Sequence, residues 1–287
     1  MERRRVIIGG GTALAVAFAG CSAITGSEDD DGGYTEWLPA SIADEGVRAS
    51  IMMVRLSSMA DIEGLPDDEV DDFIGHEPDA IEFVVDVTRT EGDEARSGYT
   101  VLVGDTDSET ARDGVEDLLR LELEEADEYA PYDVYTALGG DWTVGTGDGV
   151  IILAETREWF EAVADVHEGD ATLLVDVDER FELLDSRLDY RDLVDITLLA
   201  PDQGRDGQAT GFGTGVEFGQ DETDGMLVSV FEDEDAAEEA REKQRQRDAD
   251  VLHTLAGVTV EAEDIDVEVD GRFLVQTTTI PTDEFRE

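Results

Sequence analysis

The sequence predicts an α+β protein: two tandem copies of a strand–helix–strand–strand–helix–strand–hairpin unit with a mostly antiparallel sheet. Three observations lead there. Runs that alternate apolar and polar residues at period two are interleaved with runs at helical spacing. Two Asp-Gly pairs, Asp148-Gly149 and Asp270-Gly271, each sit between alternating apolar runs, the signature of a tight hairpin. The segments leading up to each hairpin follow the same order.

The first copy opens on the strand "ASIMMVRL" (49–56), followed by a short amphipathic helix in which Pro66 takes the first turn and Val70, Phe73 and Ile74 face inward. "IEFVVDV" (81–87) is the next strand. "YTVLVGDTDSETAR" (99–112) reads as strand, acidic cap and helix start, with Thr106 and Glu109 spaced as a capping box. "TVGTGDGVIILAET" (143–156) is the hairpin. The helix "TREWFEAVADVHEG" (156–169) buries Trp159, Phe160, Val163 and Val166, stops at Gly169 and links the copies.

The second copy opens on "ATLLVDVD" (171–178), where Asp178 is expected to cap a helix carrying Phe181, Leu184 and Leu188. "ATGFGTGVEFG" (209–219) is its next strand, "GMLVSVFEDEDAAEEAR" (225–241) its strand and helix with Asp235 and Glu238 as the cap pair, and "IDVEVDGRFLVQTT" (265–278) its hairpin. The organisation is thus residues 1–20, 21–33, 34–169 (first repeat with linking helix) and 170–287 (second repeat).

Composition sets the solvent. There are 74 acidic residues against 20 basic ones, a formal charge of −54, and Lys243 is the only lysine. Hydrophobic residues are 40% of the chain and fall in periodic runs, so a packed core is expected and disorder is not. Carboxylates at this density repel one another in dilute buffer, whereas above 1 M salt the screening length falls to roughly 3 Å. Acid-rich and nearly lysine-free, the chain resembles proteins of extremely halophilic archaea. Nucleic acid is excluded as a partner because its phosphates need a basic footprint.

The N-terminus sets the address. Arg3, Arg4 and Arg5 precede an apolar stretch from Val6 to Phe18, then Ala19, Gly20 and Cys21, the only cysteine. A basic region, a short apolar core and a small-residue cleavage site make an export signal. The arginines followed by Val6, Ile7 and Ile8 resemble a twin-arginine signal, and Phe18-Ala19-Gly20-Cys21 resembles a lipobox. The resemblance implies export of the folded chain, removal of residues 1–20 and a two-chain lipid on Cys21, which anchors stably where one chain does not. Glu2 and Phe18 depart from the usual serine and leucine. Residues 22–33, "SAITGSEDDDGG", are Gly-, Ser- and Asp-rich. They read as a flexible tether reaching at most ~40 Å. The expected location is extracytoplasmic, on the outer face of the cell membrane.

Behind that signal, the duplicated pattern over residues 50–279 resembles families of exported prokaryotic proteins with repeated strand–helix–hairpin halves. The resemblance implies no site chemistry. The residues supply little either: there is no G-x-S-x-G elbow, no H-E-x-x-H and no phosphate-binding loop, and the three histidines, His76, His167 and His253, have local structural roles as their simplest reading. The glycines of "GFGTGVEFG" lie within a strand and are expected to permit bending or close packing. Two acidic clusters could draw loosely bound cations: Asp176, Asp178 and Glu179, and Asp266, Glu268 and Asp270. A basic cluster, Arg241, Lys243, Arg245 and Arg247, could meet an anionic partner, although Glu239 and Lys243 are spaced as a helical ion pair. No cofactor is expected. The expected role is a non-enzymatic lipoprotein that binds an envelope partner or supports a membrane complex. A solute- or cation-binding cleft between the repeats is the alternative, and a hydrolase built on carboxylates ranks third.

Overall fold

The computed structural model describes residues 33–43, 47–56, 80–91, 94–105, 108–120, 122–126, 129–138, 140–188, 192–200, 208–219, 221–246, 253–255, 258–260 and 265–282. In chain order the elements are β1 (Arg48–Arg55), β2 (Ile81–Glu91), β3 (Glu94–Gly104), α1 (Ser108–Leu119), β4 (Leu123–Glu125), β5 (Asp133–Ala137), β6 (Thr143–Gly147), β7 (Val150–Ala154) and α2 (Arg157–His167). There follow α3 (Glu179–Leu188), β8 (Leu193–Leu198), β9 (Gly211–Phe218), β10 (Glu222–Val230), α4 (Glu234–Gln246), β11 (His253–Leu255), β12 (Val258–Val260), β13 (Asp266–Asp270) and β14 (Phe273–Pro281). Short 3-10 helices lie at Tyr34–Trp37, Ala40–Ala43 and Leu174–Asp176.

The fold is α+β. Twelve strands form one sheet in the order β13-β14-β10-β9-β8-β1-β2-β3-β7-β6-β5-β4, while β11 and β12 pair separately. Every neighbouring pair is antiparallel. Near the middle of the sheet runs a seam, the β1–β8 ladder, in register from Ala49 opposite Leu198 to Val54 opposite Leu193. Outward from this seam the order is β1-β2-β3-β7-β6 one way and β8-β9-β10-β14-β13 the other, with β5 and β4 added beyond β6.

Both faces of the sheet are apolar, so each must be covered. On one face Ile51, Met53, Val85, Val101, Ile152, Val194 and Ile196 are buried beneath Trp159, Phe160 and Val163 of α2 and Phe181, Leu184 and Leu188 of α3. The other face carries α1, whose Ala111 and Val115 pack on Leu102, Val144 and Ile151, and α4, whose Ala237 packs with Leu274 and Phe231. The "GFGTG" glycines explain how α3 comes so close: a Cβ on Gly213 would stand 2.6 Å from Leu188 Cδ1. At both Asp-Gly hairpins the glycine has positive φ, +73° at Gly149 and +57° at Gly271, a conformation an L side chain resists.

The structure corrects two sequence expectations and adds two strands. Residues 171–178 do not form a strand. Leu173 makes one isolated bridge to Pro39, the chain then turns through the 3-10 helix, and the side chain of Asp178 is already capping α3. The strand beside β1 is instead β8, "LVDITL", which follows α3. The cap of α4 is Asp233, whose Oδ1 accepts from the Ala236 N–H at 2.8 Å, two residues ahead of Asp235. β4 and β5, inserted between α1 and β6, were not anticipated. The helix expected at Pro66–Ile74 and the Thr106 cap lie outside the described residues.

Candidate functional site

An aspartate within an apolar strand needs a reason, and β2 ("VVDVT") and β8 ("LVDIT") each contain one. Strand register aligns Thr100 of β3, Asp86 of β2, Met52 of β1, Asp195 of β8 and Thr214 of β9 in one row across the sheet. These side chains belong to the face that carries α1 and α4. The two helices stand over opposite halves of it, and the side chains between them are half-buried: Ser50, Met52, Asp86, Thr88, Asp195, Phe212, Thr214 and Leu227. The strip straddles the seam.

Hydroxyls line the two carboxylates. Thr100 Oγ1 donates to Asp86 Oδ1 at 2.8 Å, Thr88 makes a longer contact to Asp86 Oδ2 at 3.5 Å, and Ser50 Oγ reaches Asp195 Oδ1 at 3.4 Å. Burial pushes the Asp86 carboxyl up to about 6, against the Thr100 and Thr88 hydrogen bonds, with further upward pushes from Glu155 and Asp195. Burial also raises Asp195, opposed by Ser50 and by the charge of Arg48. Glu155, just after β7, is raised by burial as well, opposed by backbone hydrogen bonding at Gly98. The strip's carboxyls are therefore easier to protonate than ordinary ones, able to donate a hydrogen bond when neutral and to attract a cation when ionised. Asp86 and Asp195 stand side by side, about 10 Å apart across two strand spacings, rather than opposite each other across a cleft. Among histidines with described side chains, His167 lies in the layer on the other face.

The two acidic clusters meet each other through arginines. Asp178, with 8% side-chain exposure, caps α3 by accepting from the N–H groups of Arg180 and Phe181, and it pairs with the Arg180 guanidinium. Burial raises its pKa, but the Arg180 bonds and charge and the two backbone N–H groups outweigh that and hold it below the ordinary value. Glu179 is exposed and pairs with Arg272 in the β13–β14 turn at 2.9 Å. Asp270 pairs with Arg187 of α3, whose guanidinium also lies 4.6 Å from the Phe273 ring centroid. Asp266 and Glu268 are exposed on the edge strand β13, and Asp176 is exposed in the 3-10 turn. Two arginine bridges thus tie α3 to the last hairpin. Among the described residues, no group of three or more His, Cys, Asp or Glu is disposed to hold a metal.

In the basic cluster, Arg241 pairs with Glu238 at 2.6 Å and Lys243 with Glu239 at 2.7 Å, both along α4. Arg245 lies in the last turn of α4. Arg247, together with Arg3, Arg4, Arg5 and Cys21, lies outside the described residues.

The sequence reading passed over Asp86, Asp195 and Ser50. Their signal was present: a carboxylate at a position where the alternation calls for a side chain against the sheet's covered face. No protein-family model and no curated protein matches the chain. Among solved structures it is similar to crystal form IV of TP0453, at 9% identity and a TM-score of 0.46 over 89% of this chain and 98% of that one. It is also similar to crystal form III of TP0453, at 10% identity and a TM-score of 0.43 over 86% and 96%. A likeness this slight decides neither fold nor role. No helix among the described residues is long and apolar enough to cross a membrane.

Proposed function

We propose that this chain is a membrane-anchored extracytoplasmic lipoprotein with a non-enzymatic role, a tethered module that binds an envelope partner or supports a membrane complex. The sequence from Arg3 to Cys21 carries this reading. The structure supports it at one point: Tyr34 and Trp37, only 3% and 2% exposed, enter the core immediately after residue 33, where the proposed tether ends. The folded part is, in this reading, one α+β unit written twice, with β1, β2, β3, β7 and β6 corresponding to β8, β9, β10, β14 and β13. Edge-to-edge pairing of the two first strands fuses the copies into one sheet.

Cys21→Ser expressed in a halophilic host tests the anchor. The expected result is release of the protein from the envelope fraction into the medium. If the variant still pellets with envelopes, the lipid reading is wrong.

The half-buried strip over the β1–β8 seam favours a second reading, a small polar solute or cation taken up between α1 and α4. Calorimetric titration with calcium at high salt tests its cation form. Saturable heat that disappears in Asp86→Asn supports it, and heat unchanged by that substitution overturns it.

A further inference from the structure

The short helix Tyr34–Trp37 is held to the body at three points. The Tyr99 hydroxyl of β3 donates to the Trp37 carbonyl at 2.8 Å. The Tyr34 hydroxyl donates to Asp185 of α3. The Trp37 ring lies flat on the imidazole of His167, in the last turn of α2, with centroids 3.8 Å apart and an interplanar angle of 14°. The third hold differs from the others because it can take a proton near neutrality. His167 Nδ1 is buried and has no hydrogen-bond partner among the described residues.

We propose that the His167–Trp37 stack is a proton-operated latch: neutral His167 seats the helix Tyr34–Trp37 on the body, and a proton on His167 unseats it, while the backbone bonds at Leu38 and Ala40 keep the following residues in place. A protonated imidazole carries N–H on both nitrogens, so a charged donor would appear at Nδ1 where no acceptor waits. Burying a charged donor without a partner costs more than burying a neutral acceptor. Three effects oppose this: the π face of Trp37, the C-terminal end of α2, and the carboxylates facing the ring, Glu36 on the Trp37 helix and Glu168 capping α2. Burial outweighs them, and the His167 pKa lies below its ordinary value. A helix C-terminus by itself favours a cation; packing under Trp37 reverses that. Because the folded pKa is depressed for a base, the seated state is fully stabilised above the ordinary histidine value of about 6.5. That stabilisation is lost as pH falls through the folded value. On the anchor reading above, an unseated helix adds four residues to the tether, about 14 Å of reach.

Hydrogen exchange of the full-length protein at high salt, corrected for intrinsic rates, tests this between pH 8 and pH 5. The expected result is a loss of protection of tenfold or more in peptides covering the helix 34–37 as pH falls, while β1–β3 stay protected. His167→Phe keeps a flat ring that takes no proton, and its protection over the helix 34–37 is expected to be independent of pH. Unchanged protection in the wild type, or the same acid loss in His167→Phe, overturns the latch. Should the variant not fold, the wild-type imidazole titration followed by NMR decides: a midpoint below 6.5 supports the proposal and one at or above 6.5 overturns it.

Discussion

Asp86 on β2 and Asp195 on β8 flank Met52 of β1 on the same face of the sheet, one on either side of the β1–β8 seam. Each carboxyl is raised chiefly by its own burial, and the charge of Asp195 raises Asp86 further. Burial at the centre of the sheet therefore works against ionising either carboxyl.

The pH dependence follows with a definite sign. A folded pKa of about 6 against an unfolded value of 3.8 means that Asp86 is neutral in the fold at pH 5 and ionised at pH 8. The neutral form's contribution is complete below the unfolded value and is lost as pH rises through the folded one. Asp86→Asn keeps an acceptor for Thr100 and removes the charge. It is expected to stabilise the protein at pH 8 by up to about 3 kcal/mol and to change little at pH 4. Denaturant melts at both pH values, in constant high salt, check this; a variant less stable at pH 8 than the wild type refutes it.

Gly145 of β6 lies directly beneath the Phe160 ring. A Cβ there would stand 2.2 Å from Phe160 Cε2, and the ring is fully buried with Tyr129 and Tyr132 edge-on to it at 5.5 and 6.0 Å. With no room for the ring to yield, Gly145→Ala is expected to cost about 1–3 kcal/mol by overpacking. Gly169, at φ +79° with open space around its Cβ position, is expected to lose about 1 kcal/mol on substitution by alanine, through backbone strain alone. Comparing the two denaturation midpoints separates crowding from conformation.

Asp178 offers a test of structural against cation-binding use. Its carboxylate caps α3 and neutralises Arg180, whose Nη1 also donates to the Leu199 carbonyl at 2.7 Å. Asp178→Ala is expected to destabilise by about 2 kcal/mol. Because its folded pKa is depressed, that contribution is present above the ordinary carboxylate range and is lost as pH falls through the folded value, so variant and wild type converge in acid. The same loss with and without millimolar calcium is the expected outcome. A loss that grows when calcium is added assigns the cluster to an ion.

Period-two and helical spacing made β1, β2, β3, β9, β10, both Asp-Gly hairpins and α2 legible in the sequence, because each buries an apolar face that its own residues declare. "ATLLVDVD" misled because its alternation is that of a strand, while its backbone finds only the Pro39 bridge and Asp178 diverts it into α3. β8 escaped notice because one aspartate interrupts a six-residue strand. That same residue is half of the candidate site, so the feature that obscured the strand is the one that carries chemistry. The row from Thr100 to Thr214 depends on the register of five strands, and the Trp37–His167 stack joins residues 130 positions apart. Neither kind of neighbourhood is written in local spacing.

Salt removal tests the surface. The chain carries a formal charge of −54, and on the edge strand β13 the carboxylates of Asp266, Glu268 and Asp270 project from one face two residues apart, about 7 Å. At multimolar salt the screening length is roughly 3 Å or less, so these groups scarcely interact; at millimolar salt it exceeds 30 Å and the whole surface repels itself. Asp270 has Arg187 as a partner, but an exposed pair contributes at most about 1 kcal/mol. Dialysis from multimolar to millimolar salt is therefore expected to unfold the protein, with β13, β14 and α4 at the sheet's edge losing hydrogen-exchange protection before the β1–β8 seam. A circular dichroism signal that stays constant through the dialysis shows that the core alone holds the fold and that the acidic surface is no adaptation to brine.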